Sequence, residues 1–225
     1  MSVKTSLGNV TKICKDSSIH NVYKIFFGGV YWYNTEPKSL ILDFNNTYNQ
    51  AYTISNIIGY GENTRFYLDG VLTGASISIP TGKHRVNVTG SNLRIGQLYG
   101  NEMKACLTNV QFPANIKIGS YAFKDCTALQ KITIPSSITY LEDRVFENCT
   151  GLTDVYFYPT TTERTCTSYN NSWFYGCNQN CILHIVSTMT TSQAQNKFGA
   201  WWDAYAGTSN FTRKRLTVRN DIYVS

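Results

Sequence analysis

Apolar residues recur at a fixed spacing through the second half of the chain. In each occurrence a leucine is followed three and five residues later by apolar residues, and then by a proline. The occurrences are Leu107, Val110, Phe112 and Pro113; Leu129, Ile132, Ile134 and Pro135; and Leu152, Val155, Phe157 and Pro159. A period of about 22 to 24 residues is typical of proteins built from stacked, repeated coils. The pattern therefore predicts a short solenoid with one strand in each coil.

The polar residues between these apolar positions form the candidate binding surface. Successive side chains of a strand point to opposite sides, so the residues between the buried ones face outward. Stacking of the coils then aligns two outer rows, one of Asn109, Lys131 and Asp154 and one of Gln111, Thr133 and Tyr156. Together with Tyr158, these residues are the predicted surface for a ligand or partner. The alternative is a solvated or packed face, because about three coils are too few for a deep groove.

Short apolar runs and turn signals alternate between residues 39 and 100. Strands are predicted over residues 40–44, 51–58, 64–68, 75–79, 85–89 and 93–97. Glycine-containing signals such as Asp69-Gly70 and Thr89-Gly90-Ser91 are typical of the turns between strands. Short strands at this spacing predict a small antiparallel β-sandwich.

Two runs of aromatic and β-branched residues near the N-terminus are separated by Gly28 and Gly29. This pattern predicts a β-hairpin. A two-stranded hairpin is too small to be stable on its own. We therefore expect the hairpin to pack on the next domain or to dock on a partner. The candidate attachment residues are Tyr23, Phe26, Phe27, Tyr31 and Trp32.

The last part of the chain has the pattern of an amphipathic helix over residues 190–206. Ser192 can cap this helix, and Gly207 can end it. Because a terminal repeat must cover its exposed apolar face, residues 190–225 are predicted to cap the solenoid with a helix and a strand. The predicted domains are an N-terminal segment, a sandwich, and the repeats with their cap, at residues 1–38, 39–100 and 101–225.

Three cysteines repeat in step with the phenylalanines of the coils. Cys126, Cys149 and Cys177 each follow a phenylalanine by three residues. Because reduced cysteine packs as a small apolar residue, this column is predicted to belong to the core. A spacing that resembles zinc ligands joins Cys177 to Cys181 and His184, with Cys166 upstream. Since Cys177 already belongs to the core column, we predict no metal site.

The sequence contains no motif of nucleophilic, metalloprotease or nucleotide-binding enzymes. The adjacent carboxylates Glu142 and Asp143 are interpreted as a solvated turn. We therefore predict a protein that is not an enzyme and that has no cofactor. Catalytic carboxylates need only meet in space, so the sequence leaves a glycan-processing enzyme open as an alternative.

Charge and hydropathy limit the other classes of partner. The formal net charge is +6, with its densest cluster at Arg213, Lys214 and Arg215. A solvated strand explains this cluster, so nucleic acid is not the expected partner. No stretch approaches the roughly 20 apolar residues that span a bilayer. The first residues lack the pattern of a secretory signal peptide, which favours a route other than general secretion.

The segment from Ile118 to Pro135 has the spacing Ile-Gly-x-x-Ala-Phe-x-x-Cys-x-x-Leu-x-x-Ile-x-Ile-Pro. This spacing resembles the BspA-type leucine-rich repeat, and the resemblance covers about residues 101–186. The second copy departs from it, with Tyr140 and Leu141 in place of Ile-Gly. The strands and turns of residues 66–88 are similar, over a short stretch, to PEGA-like sandwich modules.

The resemblance implies adhesion, because BspA-like repeats occur chiefly in surface proteins of bacteria and some protists, and also in phage virion proteins. The aromatic hairpin is similar to short hairpins near the start of phage tail proteins. We therefore predict a phage virion protein of the tail, baseplate or capsid appendages, which is located in the virion. Its expected partners are other virion proteins, further copies of itself, and a host glycan or protein. The alternatives are a BspA-like adhesin on the bacterial surface and a glycan-processing enzyme that carries the repeat as a binding module.

Overall fold

The computed structural model describes residues 38–138, 141–158 and 173–186, together with residues 190, 192 and 193. Outside these ranges it gives the backbone of four more strands, Lys12–Lys15, Tyr23–Phe27, Val30–Tyr33 and Arg215–Arg219. Strands dominate the described part, which contains one α-helix of five residues and a helical pair at residues 192 and 193. The predicted fold class, mainly β, is confirmed.

The N-terminal strands form a sheet of their own. β1 (Lys12–Lys15), β2 (Tyr23–Phe27) and β3 (Val30–Tyr33) pair antiparallel in the order β1-β2-β3. Phe27 lies opposite Val30, so two residues connect β2 to β3, as the predicted hairpin requires. Strand β1 was not predicted, because its short apolar pair lies between two lysines.

Residues 40–95 form two antiparallel sheets. Their strands are β4 (Leu40–Asn46), β5 (Tyr52–Ile54), β6 (Ile58–Leu68), β7 (Val71–Thr73), β8 (Ile77–Ile79) and β9 (Gly82–Ile95). The larger sheet has the order β4-β9-β6-β7, and β5 pairs with β8 in the smaller one. Leu42 and Val86 of the larger sheet share one hydrophobic cluster with Ile54 and Ile77 of the smaller sheet. The prediction of antiparallel sheets in this part is confirmed.

The turn predicted at residues 89–91 is absent, because β9 runs through it. Gly90 has a φ of 152°, and a β-carbon there would lie 2.9 Å from the carbonyl oxygen of Glu62 on β6. Glu62 pairs with Ser91 and Arg65 pairs with Thr89, so the register between β6 and β9 shifts at this glycine. A glycine inside a strand often marks such an irregularity, so the same residue that suggested a turn instead lets two strands approach closely.

The predicted repeat array begins inside the larger sheet. After helix α1 (Asn101–Ala105), strand β10 (Leu107–Gln111) pairs antiparallel with β4, with Val110 opposite Leu42. Strand β11 (Lys117–Ile118) then pairs parallel with β9 on Ile95. The first Leu-x-x-Val-x-Phe copy thus extends the sheet of the preceding segment, and β10 and β11 pair with strands that precede residue 100.

A parallel sheet follows, and its first two strands come from the second and third copies of the pattern. β12 (Lys131–Ile134), β13 (Asp154–Phe157), β14 (Ile182–Val186) and β15 (Arg215–Arg219) pair in this order. The strands are in register, with Ile132 beside Val155 and Val155 beside Leu183. Strand β15 begins at Arg215, the last residue of the basic cluster near the C-terminus, where the sequence predicted a strand.

The turns of successive copies are also hydrogen-bonded to one another. The backbone N–H groups of Phe123 and Asp125 donate to the carbonyls of Val145 and Glu147, at 2.8 Å in both cases. Asp125 has a φ of 63°, and Asn148, at the equivalent position of the next copy, has a φ of 59°. Because Asn and Asp tolerate this left-handed conformation, these residues suit the repeated turn.

The predicted core column is present in the described copies. The rings of Phe123 and Phe146 stack with centroids 5.5 Å apart, and those of Phe146 and Phe174 stack at 5.3 Å. The cysteines beside them are buried, and the thiols of Cys149 and Cys177 each donate to a phenylalanine carbonyl of the preceding copy. The Sγ–O distances are 3.1 Å from Cys149 to Phe123 and 3.0 Å from Cys177 to Phe146.

Little of the predicted C-terminal helix falls within the described residues. The Gln193 backbone N–H donates to Oγ1 of Thr190 at 3.2 Å, and Oε1 of Gln193 accepts from the Thr190 N–H at 2.8 Å. This reciprocal pair is a capping box, so Thr190 and not Ser192 caps the helix. In the described part of the chain, no helix has the length and apolar character needed to cross a membrane.

Candidate binding surface

The parallel sheet has a buried apolar face and an outer face that is mainly polar, with the half-buried Ile182 among its side chains. Ile132, Val155 and Leu183 are at most 1% exposed. Between the buried positions, Lys131 and Thr133 are exposed, whereas Asp154 and Tyr156 are half-buried. Lys131 lies beside Asp154 and Thr133 beside Tyr156, as the predicted rows require. We call this side of β12–β15 the outer face.

Strand β14 adds a histidine that was not predicted to lie on the outer face. His184 is in register with Tyr156, and its Nε2 lies 2.8 Å from Oδ1 of Asp154 on the neighbouring strand. The sequence placed His184 only in a zinc-like spacing. Alignment of Leu183 and Ile185 with Val155 and Phe157 would have identified its position on the outer face.

Asp154 is held by groups on both sides of its carboxylate. Partial burial raises the pKa of Asp154, but the hydrogen bonds from His184 and Thr153, with the charge of Lys131, outweigh this effect. The pKa of Asp154 therefore lies below its ordinary value, and the group is a carboxylate at neutral pH. The Thr153 hydroxyl donates to Oδ2 at 2.8 Å.

The aromatic residues of the outer face stack on each other. The rings of Tyr156 and His184 are nearly parallel, with centroids 4.6 Å apart and an interplanar angle of 15°. Tyr158 is half-buried, and its backbone N–H donates to Ile134 at 3.0 Å. Trp173, in the segment that precedes β14, is only 8% exposed.

The other two predicted members of the rows lie on a different sheet. Asn109 and Gln111 belong to β10, which is hydrogen-bonded to β4. The Asn109 amide donates to Oδ2 of Asp43 at 2.9 Å. Asp43 also accepts two hydrogen bonds from Arg85, at 2.6 and 3.0 Å. The structure therefore brings together Lys131, Thr133, Asp154 and Tyr156 but places Asn109 in a separate polar cluster.

For the candidate attachment residues, the structure gives register positions only. Phe26 lies opposite Tyr31, and Trp32 lies opposite Ile25. Phe27 is the last residue of β2, and Tyr23 pairs with Lys15 of β1. Their side chains lie outside the described residues, so the attachment role stays a prediction.

The zinc-like spacing does not come together around one point. Cys177 donates to a backbone carbonyl in the core, Cys181 is buried, and His184 contacts Asp154 on the outer face. Cys166 lies outside the described residues. Across residues 38–138, 141–158 and 173–186, no group of three His, Cys, Asp or Glu side chains could hold a metal ion.

Glu142 is not the solvated turn residue that the sequence suggested. The guanidinium of Arg94 on β9 donates to both of its carboxylate oxygens, at 2.9 and 2.7 Å. The backbone N–H and hydroxyl of Ser120 each donate to Oε2 at 3.0 Å. Partial burial raises the pKa of Glu142, but these hydrogen bonds have the larger combined effect. The pKa of Glu142 therefore lies below its ordinary value. Glu142 thus connects the larger sheet to the repeated turns.

Comparisons with known proteins identify one part of the chain. No curated protein and no solved structure gives a significant match. The stacked phenylalanines, the cysteine column and strands β12–β14 all lie within the segment that a family model recognises, whereas β15 follows it. Residues 101–198 match the family described as the BspA type leucine rich repeat region (6 copies).

Proposed function

We propose that this protein is a non-catalytic attachment protein that binds a ligand on the outer face of its parallel sheet. The observation that carries the proposal is the register of the strands. Ile132, Val155 and Leu183 are in register and buried, and the residues that alternate with them, which are polar except for Ile182, lie on the other side. The match to BspA-type repeats supports a binding or adhesin-like role.

The outer face is suited to binding because its side chains are held in place before a ligand arrives. Parallel strands lie about 4.8 Å apart, so neighbouring side chains form a closely spaced surface. The contact between Asp154 and His184 and the ring stacking of Tyr156 restrict these side chains further. A surface that is ordered in advance loses less conformational entropy on binding.

Substitutions on the outer face test the proposal. The full-length protein is applied to an array of bacterial and mammalian cell-surface glycans and glycoproteins. We expect Tyr156→Ala, and Thr133→Gln at an exposed position, to weaken binding, whereas Tyr60→Ala retains it. Tyr60 is a matched control because it is 59% exposed on the larger sheet. Equal binding by all four proteins, or loss with Tyr60→Ala alone, would place the ligand elsewhere.

We further propose that the protein is a component of a phage virion. In this arrangement the aromatic hairpin of β2 and β3 attaches to other virion proteins, and the repeats point toward the host. The separate pairing of β1, β2 and β3 supports an attachment element distinct from the larger sheet. Mass spectrometry and electron microscopy of purified particles test this placement, and absence of the chain from the particles would contradict it.

The two alternatives differ from this proposal in measurable ways. A bacterial surface adhesin would use the same outer face but would be found on whole cells. A glycan-processing enzyme would need a pair of carboxylates for catalysis. In the described part of the chain, Glu142 and Asp154 are held by Arg94 and His184, which favours structural roles for them. Turnover of a polysaccharide that is lost with a single Asp or Glu substitution would favour the enzyme.

A further inference from the structure

We infer that the ligand of the outer face is an acidic polysaccharide, an inference that rests on the function proposed above. It follows from the charges at the register positions of β12–β15. Lys131 lies on the first strand, and Arg215 and Arg219 lie on the last one. One carboxylate, that of Asp154, lies between them. Three cations minus one anion give these positions a formal charge of +2.

The register assigns the two arginines to the outer rows. Leu216 and Val218 of β15 are in register with Leu183 and Ile185, which are buried. Residues of a strand alternate between its two sides. The positions of Arg215 and Arg219 therefore alternate with the apolar ones, and Arg215 continues the row of Lys131, Asp154 and Ile182.

The single anion of these positions already has partners within the protein. Asp154 is hydrogen-bonded by His184 and Thr153, both at 2.8 Å. Lys131 is exposed, and its charge is one of those that offset the charge of Asp154. A negatively charged ligand therefore meets an accessible lysine and an anion whose charge is offset by its neighbours. Opposite charges of this kind guide association and favour acidic over neutral ligands.

The size of the charged area fits an extended polymer. Three steps of about 4.8 Å separate β12 from β15, so Lys131 and Arg215 lie roughly 14 Å apart along the row. A single carboxylate or phosphate cannot bridge that distance. A chain of acidic sugars that crosses the strands can reach the positions of Lys131 and Arg215 at the two ends of this row and the exposed Thr133 in the neighbouring row.

The surroundings favour a polysaccharide over a protein or a nucleic acid. Protein interfaces are usually centred on buried apolar anchors. The large hydrophobic residues that are exposed in the described part are Tyr48, Tyr60, Val71, Leu72 and Tyr99, all outside the parallel sheet. Single-stranded nucleic acid is bound through stacking on open aromatic rings. Tyr156 and His184 stack on each other, so one face of each ring is already covered.

Calorimetry on the full-length protein tests this inference with five probes of known chemistry. They are heparin, polygalacturonate, neutral dextran, poly-glutamate and single-stranded oligothymidylate. We expect binding to heparin, to polygalacturonate, or to both, and weakening with added salt as the charges are screened. Binding of both would assign a general preference for acidic sugars, and binding of one would assign sulfate or carboxylate as the recognised group.

Two variants and a matched control connect such binding to the outer face. The single variant Lys131→Ala should weaken binding of the acidic glycan. The double variant Arg215→Ala/Arg219→Ala should weaken it about tenfold or more. Lys117→Ala is the control, because Lys117 is an exposed lysine on β11, in the other sheet. Circular dichroism confirms that each variant is folded.

Several outcomes would overturn the inference. They are binding of poly-glutamate or oligothymidylate as tightly as the acidic glycans, unchanged binding by the Lys131 and arginine variants, and no binding of either acidic glycan. Binding of neutral glycans that depends on Tyr156 and Thr133 but not on the cations would reject only the acidic ligand. In that case the proposed attachment function would stand.

Discussion

Arg94 on β9 holds Glu142 through two hydrogen bonds, from Nε to Oε1 at 2.9 Å and from Nη2 to Oε2 at 2.7 Å. The two residues are 48 positions apart in the chain. One belongs to the larger antiparallel sheet, and the other follows the first complete repeat. This ion pair therefore connects the two parts of the fold, together with the pairing of β11 on β9.

Substitution of Glu142 tests the contribution of this connection. Glu142→Gln keeps the size of the side chain but removes the charge that Arg94 contacts. Because both side chains are partly exposed, we expect a loss of about 1 kcal/mol in the free energy of unfolding. Chemical denaturation at neutral pH measures it. Glu62→Gln, at an exposed position on β6, is the control, and an equal loss in the control would contradict a specific role for Glu142.

Fragments of the chain test whether the repeats fold without the larger sheet. Residues 101–225 begin with α1 and β10, and β10 takes its hydrogen bonds from β4. We expect this fragment to be largely unfolded by circular dichroism, because β10 and β11 lose their partner strands. Mixing or coexpression with residues 1–100 should restore the β signal. A stable, cooperative fold of residues 101–225 alone would instead support a boundary at residue 100.

The features that could be predicted from the sequence are those set by local periodicity. The alternation of Ile132 and Thr133, and its return in Val155 and Tyr156, were enough to predict two rows of the outer face. The partner of β10 could not be predicted in this way. Asn109 meets Asp43 from 66 positions away, and nothing in the local pattern of β10 distinguishes an antiparallel partner from a stacked coil.

The signals at Gly90 and His184 were misinterpreted for a different reason. Glycine suits both a turn and a close contact between strands, and the approach of Glu62 that decides between them is non-local. His184 lies close in sequence to Cys177 and Cys181, and this spacing suggested zinc ligands. Its position between the apolar residues Leu183 and Ile185, which marks an outward-facing strand residue, was not used. The contact with Asp154 depends on the parallel register, which the sequence pattern predicted only for the first copies.

Gly151, which is tightly packed, and Gly74, which is exposed, offer a matched test of coil stacking. A β-carbon at Gly151 would clash with the backbone carbonyl oxygen of Thr127 in the preceding copy, whereas Gly74 has open space around it. We expect Gly151→Ala to reduce the free energy of unfolding by about 2 kcal/mol or more, because backbone must move. Gly74→Ala should change it by less than about 1 kcal/mol. Similar effects of the two substitutions would contradict the close stacking.

The thiol of Cys149 is predicted to be unreactive in the folded protein. Burial raises the pKa of Cys149 well above its ordinary value, and its Sγ donates to the Phe123 carbonyl. The thiolate is the reactive form, so iodoacetamide at pH 8 should modify Cys149 only after the protein is unfolded in urea. Peptide mapping by mass spectrometry measures the modification. Rapid labelling of Cys149 in the native protein would show that the cysteine column opens to solvent.

The pH dependence of stability tests the contact between Asp154 and His184. The pKa of Asp154 is lowered in the folded protein, where His184, Thr153 and Lys131 favour the carboxylate. Its contribution to stability is therefore complete above the ordinary pKa of about 4 and is lost as the pH falls through the lower folded value. Asp154→Asn lacks this titration. We expect the variant to be less stable than the native protein at pH 7, with a difference that shrinks between pH 5 and pH 3. Urea denaturation at several pH values measures this difference, and a constant difference down to pH 3 would contradict the assignment of the stabilising charge to Asp154.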